Sequence, residues 1–279
     1  YMRDRKRLTE YYAYFLLTLG FAFGAVLADH LIILLAFWGM LGITLYLMIG
    51  IGGPGAATAA KKTLIVVGGS DCLLMLGALQ VWKLAGEWNM SDVTLEVDSG
   101  VAGAAFLCFL AAALAKAGAM PVHTWVPAFG ERAPVAVTAY LPASLDKLLG
   151  IYLLVRVAQD LFVMNDWTNG LLLLIGAATV LCAVMMALVQ HDLKRLLSYH
   201  AVSQVGYMVL GIGTATGIGI AGALFHMLNN AIYKSCLFLG AGAVQKQAKS
   251  TDLGSLGGLA RLMPATFTAS LIAAAAISG

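Results

Sequence analysis

Nine long apolar runs follow one another along the chain, and short segments rich in charge, glycine or proline separate them. A helix needs about 20 mostly apolar residues to cross a membrane. The runs are too long and too continuously apolar for the alternating strands of a membrane barrel. The pattern therefore predicts an all-α, polytopic transmembrane helix bundle with a proline-broken helix, about eight full spans and the start of a ninth. The predicted spans lie near residues 10–28, 31–50, 62–82, 101–120, 134–157, 168–190, 197–216, 218–244 and 262–279.

The composition points to lipid as the surrounding solvent. Apolar residues make up 61% of the chain, charged residues 11%, and the mean hydropathy is +0.87. A soluble domain carries roughly 25% charged residues, so this chain is too apolar to cover a water-facing surface. The longest polar insert lies near 83–100. We expect one transmembrane domain over residues 1–279, belonging to a longer subunit.

The placement of the basic residues predicts the orientation. With the predicted spans, 12 of the 17 lysines and arginines fall on one side, and Lys83 and Arg156 fall on the other. By the positive-inside rule the first side is cytoplasmic. We therefore expect a multi-pass protein of the cell inner (cytoplasmic) membrane, with 83–100 outside and 190–196 inside. The twelve residues are Arg3, Arg5, Lys6, Arg7, Lys61, Lys62, Arg132, Lys194, Arg195, Lys246, Lys249 and Arg261.

Motifs for cofactor chemistry are not found in the sequence. The four cysteines stand singly within apolar runs, so a disulfide framework, a zinc site and an iron–sulfur site are not predicted. The glycine pairs lack the continuation of a phosphate loop, and there is no nucleic-acid patch. His200 and Ser203 are interpreted as capping residues at a helix start. We expect no cofactor, no metal, no redox centre in this chain and no nucleic-acid partner.

Five charged residues lie inside the predicted spans. They are Asp71, Lys116, Asp146, Lys147 and Lys234. A charged side chain at the membrane centre costs roughly 2.5–3.5 kcal/mol on insertion scales. This cost favours a function for the three lysines as a set, and ion pairs that hold helices together are the structural alternative.

Lys116 stands near the end of a very apolar run, just before a predicted helix break. Pro121 and Pro127 interrupt the helix, and such breaks are tolerated where they line a cavity. A buried lysine can exchange a proton with internal water, and His123 just past the break is placed to pass that proton on. The alternative for His123 is a hydrogen-bonded structural residue.

Two further sites lie on later spans. Asp146 and Lys147 are adjacent and therefore point about 100° apart on a helix, so they cannot face one another directly. One is expected to serve a proton path and the other a neighbouring helix. His226, Asn230 and Lys234 are spaced i, i+4, i+8 and share one helix face. This polar stripe fits a buried hydrated path, and a polar seam between two helices is the alternative.

Several motifs together resemble a known family. These are AK at 115–116, PVHTWVP at 121–127 and APV at 133–135, then DLKRLLSY at 192–199 with SQVGY at 203–207, and the stretch 226–239 with its FL pair. The chain resembles the antiporter-like membrane subunits of respiratory complex I, a family that includes subunits of Mrp-type cation/proton antiporters and of energy-converting membrane hydrogenases. The resemblance covers most of residues 100–279.

The resemblance implies roles for the buried residues. Lys116 aligns with the central proton carrier on the broken helix, and Lys147 with the connecting lysine of the next helix. His226 and Lys234 align with polar residues that lead toward the exit half-channel. The implied function is a proton-translocating subunit of a complex-I-related oxidoreductase, such as an NADH:quinone oxidoreductase or a membrane-bound hydrogenase. The implied partners are other membrane and peripheral subunits, which would bind nucleotide, quinone or hydrogen.

One departure from the family bears on the mechanism. The family usually has a glutamate after the tryptophan of the second span, and this chain has Gly39 after Trp38. That glutamate normally pairs with the broken-helix lysine. Asp71, the single acid in 62–82, is the candidate to replace it beside Lys116. Two alternative functions stay open: a Na⁺/H⁺ antiporter (Mrp-type) subunit, and a non-pumping structural membrane subunit, which Gly39 favours.

Overall fold

The computed structural model describes residues 7–98 and 100–278, and this part of the chain is a bundle of α-helices. The helices are α1 Leu8–Leu27, α2 Leu31–Gly50, α3 Pro54–Thr63, α4 Gly69–Ala85, α5 Gly100–Ala117, α6 Trp125–Arg132, α7 Val135–Tyr140, α8 Asp146–Arg156, α9 Asp166–Leu188, α10 Leu193–Gly213, α11 Gly217–Ala248, α12 Leu259–Leu262 and α13 Pro264–Ser278. The all-α prediction is confirmed.

Five helical stretches in the described ranges are long and apolar enough to cross a membrane. Large apolar side chains such as Leu27 and Ile218 are exposed on the outer faces of the bundle, as expected where lipid replaces water. The protein is therefore a multi-pass membrane protein. The five stretches are Leu8–Leu27, Leu31–Gly50, Pro54–Ala85, Gly100–Ala117 and Asp166–Leu188.

Short π-helical turns join consecutive helices into longer segments. Leu64–Gly68 connects α3 to α4, Leu141–Leu145 connects α7 to α8, and Val157–Leu161 extends α8. In such turns the backbone hydrogen bonds join residues five apart instead of four, and π-helical turns are frequent at functional sites. Beyond the last of them, two short strands, Leu95–Glu96 and Phe162–Val163, pair in parallel and link two loops at one end of the bundle.

The start of α10 corrects one interpretation of the sequence. The Asp192 side chain accepts a hydrogen bond from the Arg195 backbone N–H at 2.8 Å and so caps the helix. His200 and Ser203 lie two to three turns further along α10. Their interpretation as helix-start caps is therefore wrong, because the polar Asp192 begins the helix several residues before the apolar run does.

The main core surrounds α5, in which every residue from Ala112 to Ala117 is buried. It packs against α4 on one side and α8 on the other, while α9, α10 and α11 pack in sequence beside them. Phe106 and Phe109 of α5 and Trp38 and Leu41 of α2 belong to one apolar cluster. The C-terminal end of α5 and its Lys116 consequently lie in the interior.

Candidate functional site

The predicted break lies between α5 and α6. Gly118 follows α5 with φ +78°, a left-handed conformation that favours glycine, and a Cβ there would lie 2.5 Å from Val126 Cγ2. The end of a helix leaves carbonyl groups without intrahelical partners. Trp125 donates its Nε1–H to one of them, the Ala115 carbonyl, at 2.9 Å. The tryptophan of the break thus fastens α6 to the end of α5, next to Lys116.

Lys116 is fully buried, with 0% of its surface exposed. Its Nζ lies 4.9 Å from the centre of the Trp38 ring, which is cation–π distance. Two acids interact electrostatically with it, Asp146 of α8 first and Asp71 of α4 second. Asp71 lies against α2, since a Cβ on Gly42 would come 3.2 Å from Asp71 Oδ2. The lysine therefore lies among one aromatic ring and two carboxyl groups from three different helices.

The second lysine is bonded to the end of the helix that carries the first. Asp146 and Lys147 begin α8, and both are buried. Lys147 donates from Nζ to the Ala117 carbonyl at 3.3 Å. Gly150 allows this contact, because a Cβ there would lie 2.4 Å from the Ala117 backbone nitrogen. A helix C-terminus carries a partial negative charge, so the end of α5 is a favourable place for a lysine.

The third lysine has a histidine partner that the sequence did not indicate. Lys234 is 0% exposed, and its Nζ lies 2.8 Å from His200 Nδ1 on α10. It also interacts electrostatically with Lys147. Lys234 thus contacts a histidine of α10 and lies close enough to the lysine of α8 for their charges to repel.

The polar stripe of α11 faces α10. Asn230 is buried on the same face as Lys234. The His226 ring centre lies 6.0 Å from that of Tyr207 on α10, in an edge-to-face arrangement, and 6.4 Å from that of Tyr233. The shared face predicted from the i, i+4, i+8 spacing is confirmed.

Two cavities adjoin these residues at successive positions along α10. The first, of about 340 Å³, is called the basic-end cavity; it includes Tyr199 of α10. The second, of about 620 Å³, is called the histidine cavity and includes His200, Gln204, Tyr207 and His226. The remaining polar or charged residues of the basic-end cavity are Thr58, Lys62, Thr124, Glu131, Arg132 and Arg195.

His123 lies in the break, near the basic-end cavity. It is largely buried, and its ring centre lies 6.3 Å from that of Tyr199, which lines the cavity. The break therefore brings a titratable side chain close to a polar cavity.

Several buried polar atoms around the lysines lack a hydrogen-bond partner within residues 7–98 and 100–278. Buried polar atoms in membrane proteins are normally satisfied by protein groups or by ordered water. They are Trp38 Nε1, Asp71 Oδ1, Lys116 Nζ, His123 Nδ1, Asp146 Oδ2, His226 Nε2 and Asn230 Oδ1. Two others, Gln80 Oε1 of α4 and Asn169 Oδ1 of α9, belong to residues outside the site.

The fold and the site define a polytopic helical membrane protein whose interior carries ionisable side chains beside a broken helix. Residues 28–279 match the family described as NADH:quinone oxidoreductase/Mrp antiporter, TM. The chain belongs to this family, and the resemblance inferred from its motifs is confirmed.

Two relatives similar to this chain are named as an antiporter subunit and as a hydrogenase component. It is 33% identical over 267 residues to a Na(+)/H(+) antiporter subunit of Alkalihalophilus pseudofirmus, covering 94% of this chain and 54% of that protein. It is 37% identical over 221 residues to the Hydrogenase-4 component B of Escherichia coli, covering 74% of this chain and 33% of that protein.

A solved structure has the same fold. The chain superposes on one chain of the Mrp complex from a Dietzia species with a TM-score of 0.85 and 30% identity, covering 92% of this chain and 28% of that one. The chain thus spans about half, or less, of the length of the relatives it matches.

Proposed function

We propose that this chain is the proton-conducting part of an antiporter-like membrane subunit in a complex-I-related oxidoreductase, such as an NADH:quinone oxidoreductase or a membrane-bound hydrogenase. The observation that carries the proposal is the set of three buried lysines, Lys116, Lys147 and Lys234, on the adjoining helices α5, α8 and α11. Lys147 bonds the end of α5, and Lys234 contacts His200 of α10. Charged side chains are expensive inside a membrane, and several of them on adjoining helices indicate an ion pathway.

The proposed path runs from the basic-end cavity to the histidine cavity. A proton enters past Tyr199 and His123 to Lys116, moves to Lys147 and then to Lys234, and leaves through His200 and His226. The cavities at the two ends and the unpartnered polar atoms between them support internal water as the connecting medium.

Asp71 is proposed as a counter-charge for Lys116. A buried lysine keeps its charged form only when an acid is near, and Asp71 interacts electrostatically with it. No ion pair within 4.0 Å joins Lys116 to Asp71 in the described ranges, so the two groups interact without direct contact. Gly39 leaves open space on α2, since nothing lies within 4 Å of a Cβ built there.

The proposed setting follows from the family and from the apolar surface of the bundle. We place the chain in the cell inner (cytoplasmic) membrane, with the basic-end cavity on the cytoplasmic side. Predicted runs 134–157, 197–216 and 218–244 are proposed as three further spans, α7–α8, α10 and α11, whose polar side chains form the site; α13 would begin a ninth. The proposed partners are other membrane subunits and peripheral subunits that carry the redox chemistry.

A Na⁺/H⁺ antiporter subunit is the second candidate function. The 33% identity to the Na(+)/H(+) antiporter protein of Alkalihalophilus pseudofirmus and the fold shared with an Mrp complex support it. The same buried lysines would then exchange protons against sodium without a redox reaction.

The test of the proposed function is Lys116→Met in the complete complex, assayed in everted membrane vesicles. Met keeps the volume of the side chain and removes its charge. We expect proton transport to fall about 100-fold, a size typical for the loss of a proton-transfer group, while the complex still assembles on native gels. Lys61→Met, at an exposed position in the last turn of α3, is the matched control and should transport normally.

Two results would decide against the proposal or change it. Wild-type transport by an assembled Lys116→Met complex would contradict a pathway through Lys116 and favour a non-pumping structural subunit. Acidification driven by an imposed sodium gradient, with no electron donor present, would replace the oxidoreductase function by the antiporter function.

A further inference from the structure

Asp146 has no role in the path described so far, although it is one of the most buried charged residues. It is 1% exposed and lies at the first position of α8. Its Oδ2 is buried and has no hydrogen-bond partner within the described part of the chain. A buried carboxyl group in this state requires a compensating charge or proton.

The packing of α8 on α5 directs Asp146 toward Lys116. Asp146 and Gly150 are four residues apart and therefore share a helix face. At Gly150 that face touches α5, because a Cβ there would lie 2.7 Å from the Ala113 carbonyl oxygen and 2.4 Å from the Ala117 nitrogen. Lys116 stands between these two α5 residues in sequence. The carboxyl group consequently lies one helical turn from the tightest contact between the two helices.

Asp146 interacts electrostatically with both lysines, with Lys116 first and with Lys147 second. Lys147 also contacts the C-terminal end of α5, since its Nζ donates a hydrogen bond to the Ala117 carbonyl. One buried carboxyl group thus interacts with two lysines on different helices, although no ion pair within 4.0 Å joins it to either among the described residues.

We propose that Asp146 is the proton relay between Lys116 and Lys147, an inference that rests on the proposed function. In the first step an N–H bond of the Lys116 ammonium breaks and its proton passes to an internal water, which gives up one of its own protons to form an O–H bond on the Asp146 carboxylate; this leaves a neutral amine and a carboxylic acid. In the second step that O–H bond breaks and an N–H bond forms on the neutral amine of Lys147, which restores the carboxylate. One proton moves from α5 to α8, and Lys116 is ready to be reloaded.

The relay is tested by Asp146→Asn, which removes the proton-carrying group and keeps the shape. Proton transport by the assembled complex in everted vesicles should fall about 100-fold. Asp146→Glu keeps a carboxyl group and should retain most of the transport, with a shifted pH profile. Asp166→Asn, an acid-to-amide change at the exposed first position of α9, is the matched control and should transport normally.

A second measurement does not depend on transport. Dicyclohexylcarbodiimide, a membrane-soluble reagent, modifies protonated buried carboxyl groups, and mass spectrometry locates the adduct. Lys116→Met removes a cation that favours the ionised carboxylate, so labelling of Asp146 should increase over the wild type. A merely structural Asp146, distant from Lys116, would show the same labelling in both.

The outcomes separate this inference from the proposed function. Wild-type transport by assembled Asp146→Asn, or unchanged labelling in Lys116→Met, overturns the relay. Normal transport by Asp146→Asn together with loss of transport in Lys116→Met would reject the relay alone and keep the path through Lys116. If Asp146→Asn fails to assemble, Asp146→Glu decides, and an assembled but inactive Glu variant contradicts the relay.

Discussion

Each buried lysine is held by groups from helices other than its own. Lys116 of α5 lies beside Trp38 of α2, Lys147 of α8 bonds the end of α5, and Lys234 of α11 contacts His200 of α10. These partners are an aromatic ring, a backbone carbonyl and an imidazole. The carboxyl groups of Asp71 and Asp146 also interact with Lys116, but within the described residues neither forms an ion pair with it inside 4.0 Å. Such an environment leaves each lysine able to lose its proton, which a tight ion pair would oppose.

Gly150 sets the distance between the first two lysines, and a methyl group at this position should separate α8 from α5. Gly150→Ala forces contacts of 2.4 and 2.7 Å onto the α5 backbone. We expect the stability of the purified complex to fall by about 1–3 kcal/mol, the usual cost of overpacking, and proton transport to fall with it. Thermal unfolding in detergent measures the first effect.

Gly20→Ala in α1 is the control for this prediction. No atom lies within 4 Å of a Cβ at Gly20, so alanine should be neutral or slightly stabilising there. Equal thermal stability of the Gly150→Ala complex and the wild type would mean that the helices move apart without cost, and the contact would not determine the position of Lys147.

At the scale of the helices, a cluster of polar side chains joins three segments of the chain at the end of the bundle opposite the basic-end cavity. Arg156 of α8 bonds Asp29, in the α1–α2 connection, through Nη2 at 3.1 Å. Ser91 donates its hydroxyl to Asp29 at 2.6 Å. Arg156 also contacts Asp160 and donates to the Tyr152 hydroxyl at 2.7 Å. The cluster fixes the far end of α8, whose near end carries Lys147.

The pKa of the Asp29 carboxyl lies below its ordinary value, chiefly because the Ser91 hydroxyl bonds the carboxylate, with the Arg156 guanidinium adding to the effect. A carboxyl with a lowered folded-state pKa stabilises the fold in its ionised form. That contribution is fully present above the unfolded value of about 3.9 and is lost as the pH falls through the lower folded value.

Asp29→Asn should therefore lower the melting temperature of the complex at pH 7, and the difference from the wild type should shrink at about pH 3. Glu87→Gln, an exposed acid in the same outer region, is the control and should melt like the wild type at both pH values. A melting difference that stays constant with pH would show that the Asp29 charge is not responsible.

At the scale of the whole molecule, the two ends of the bundle differ in their basic residues and in the cavity that lies near each. The basic-end cavity is lined by Lys62, Arg132 and Arg195, from three separate segments of the chain. The insert with Asp92 lies among the connections of the opposite end, where Ser91 meets Asp29. A one-way path requires this asymmetry, because the two cavities must open to different sides of the membrane.

Cysteine labelling tests this orientation. A membrane-impermeant maleimide added from the periplasmic side should modify Asp92→Cys and leave Lys246→Cys unmodified; both positions are exposed to solvent in the structure. After the membrane is permeabilised, both should react. The reverse pattern from the periplasmic side would contradict the topology and the direction of the proposed path.

The sequence by itself determined that lipid surrounds the protein, that its secondary structure is helical and that charged residues lie inside the helices. Hydropathy is a property of consecutive residues, so runs of about 20 apolar residues identify helices in lipid without knowledge of their packing. The proline break beside Lys116 and the single polar face of His226, Asn230 and Lys234 are likewise local features. They could be predicted because helix geometry alone fixes which neighbours in sequence share a face.

Only the tertiary structure decided which groups meet. Lys234 and His200 are 34 residues apart on different helices, and their contact depends on how α10 and α11 pack. Asp146 reaches toward Lys116 because Gly150 lets α8 approach α5 closely. Sequence spacing describes one helix at a time, whereas the distance between two helices is set by the side chains that interlock at their contact. The proposed proton transfer depends on that distance, and the partners of the lysines therefore became visible only in the folded bundle.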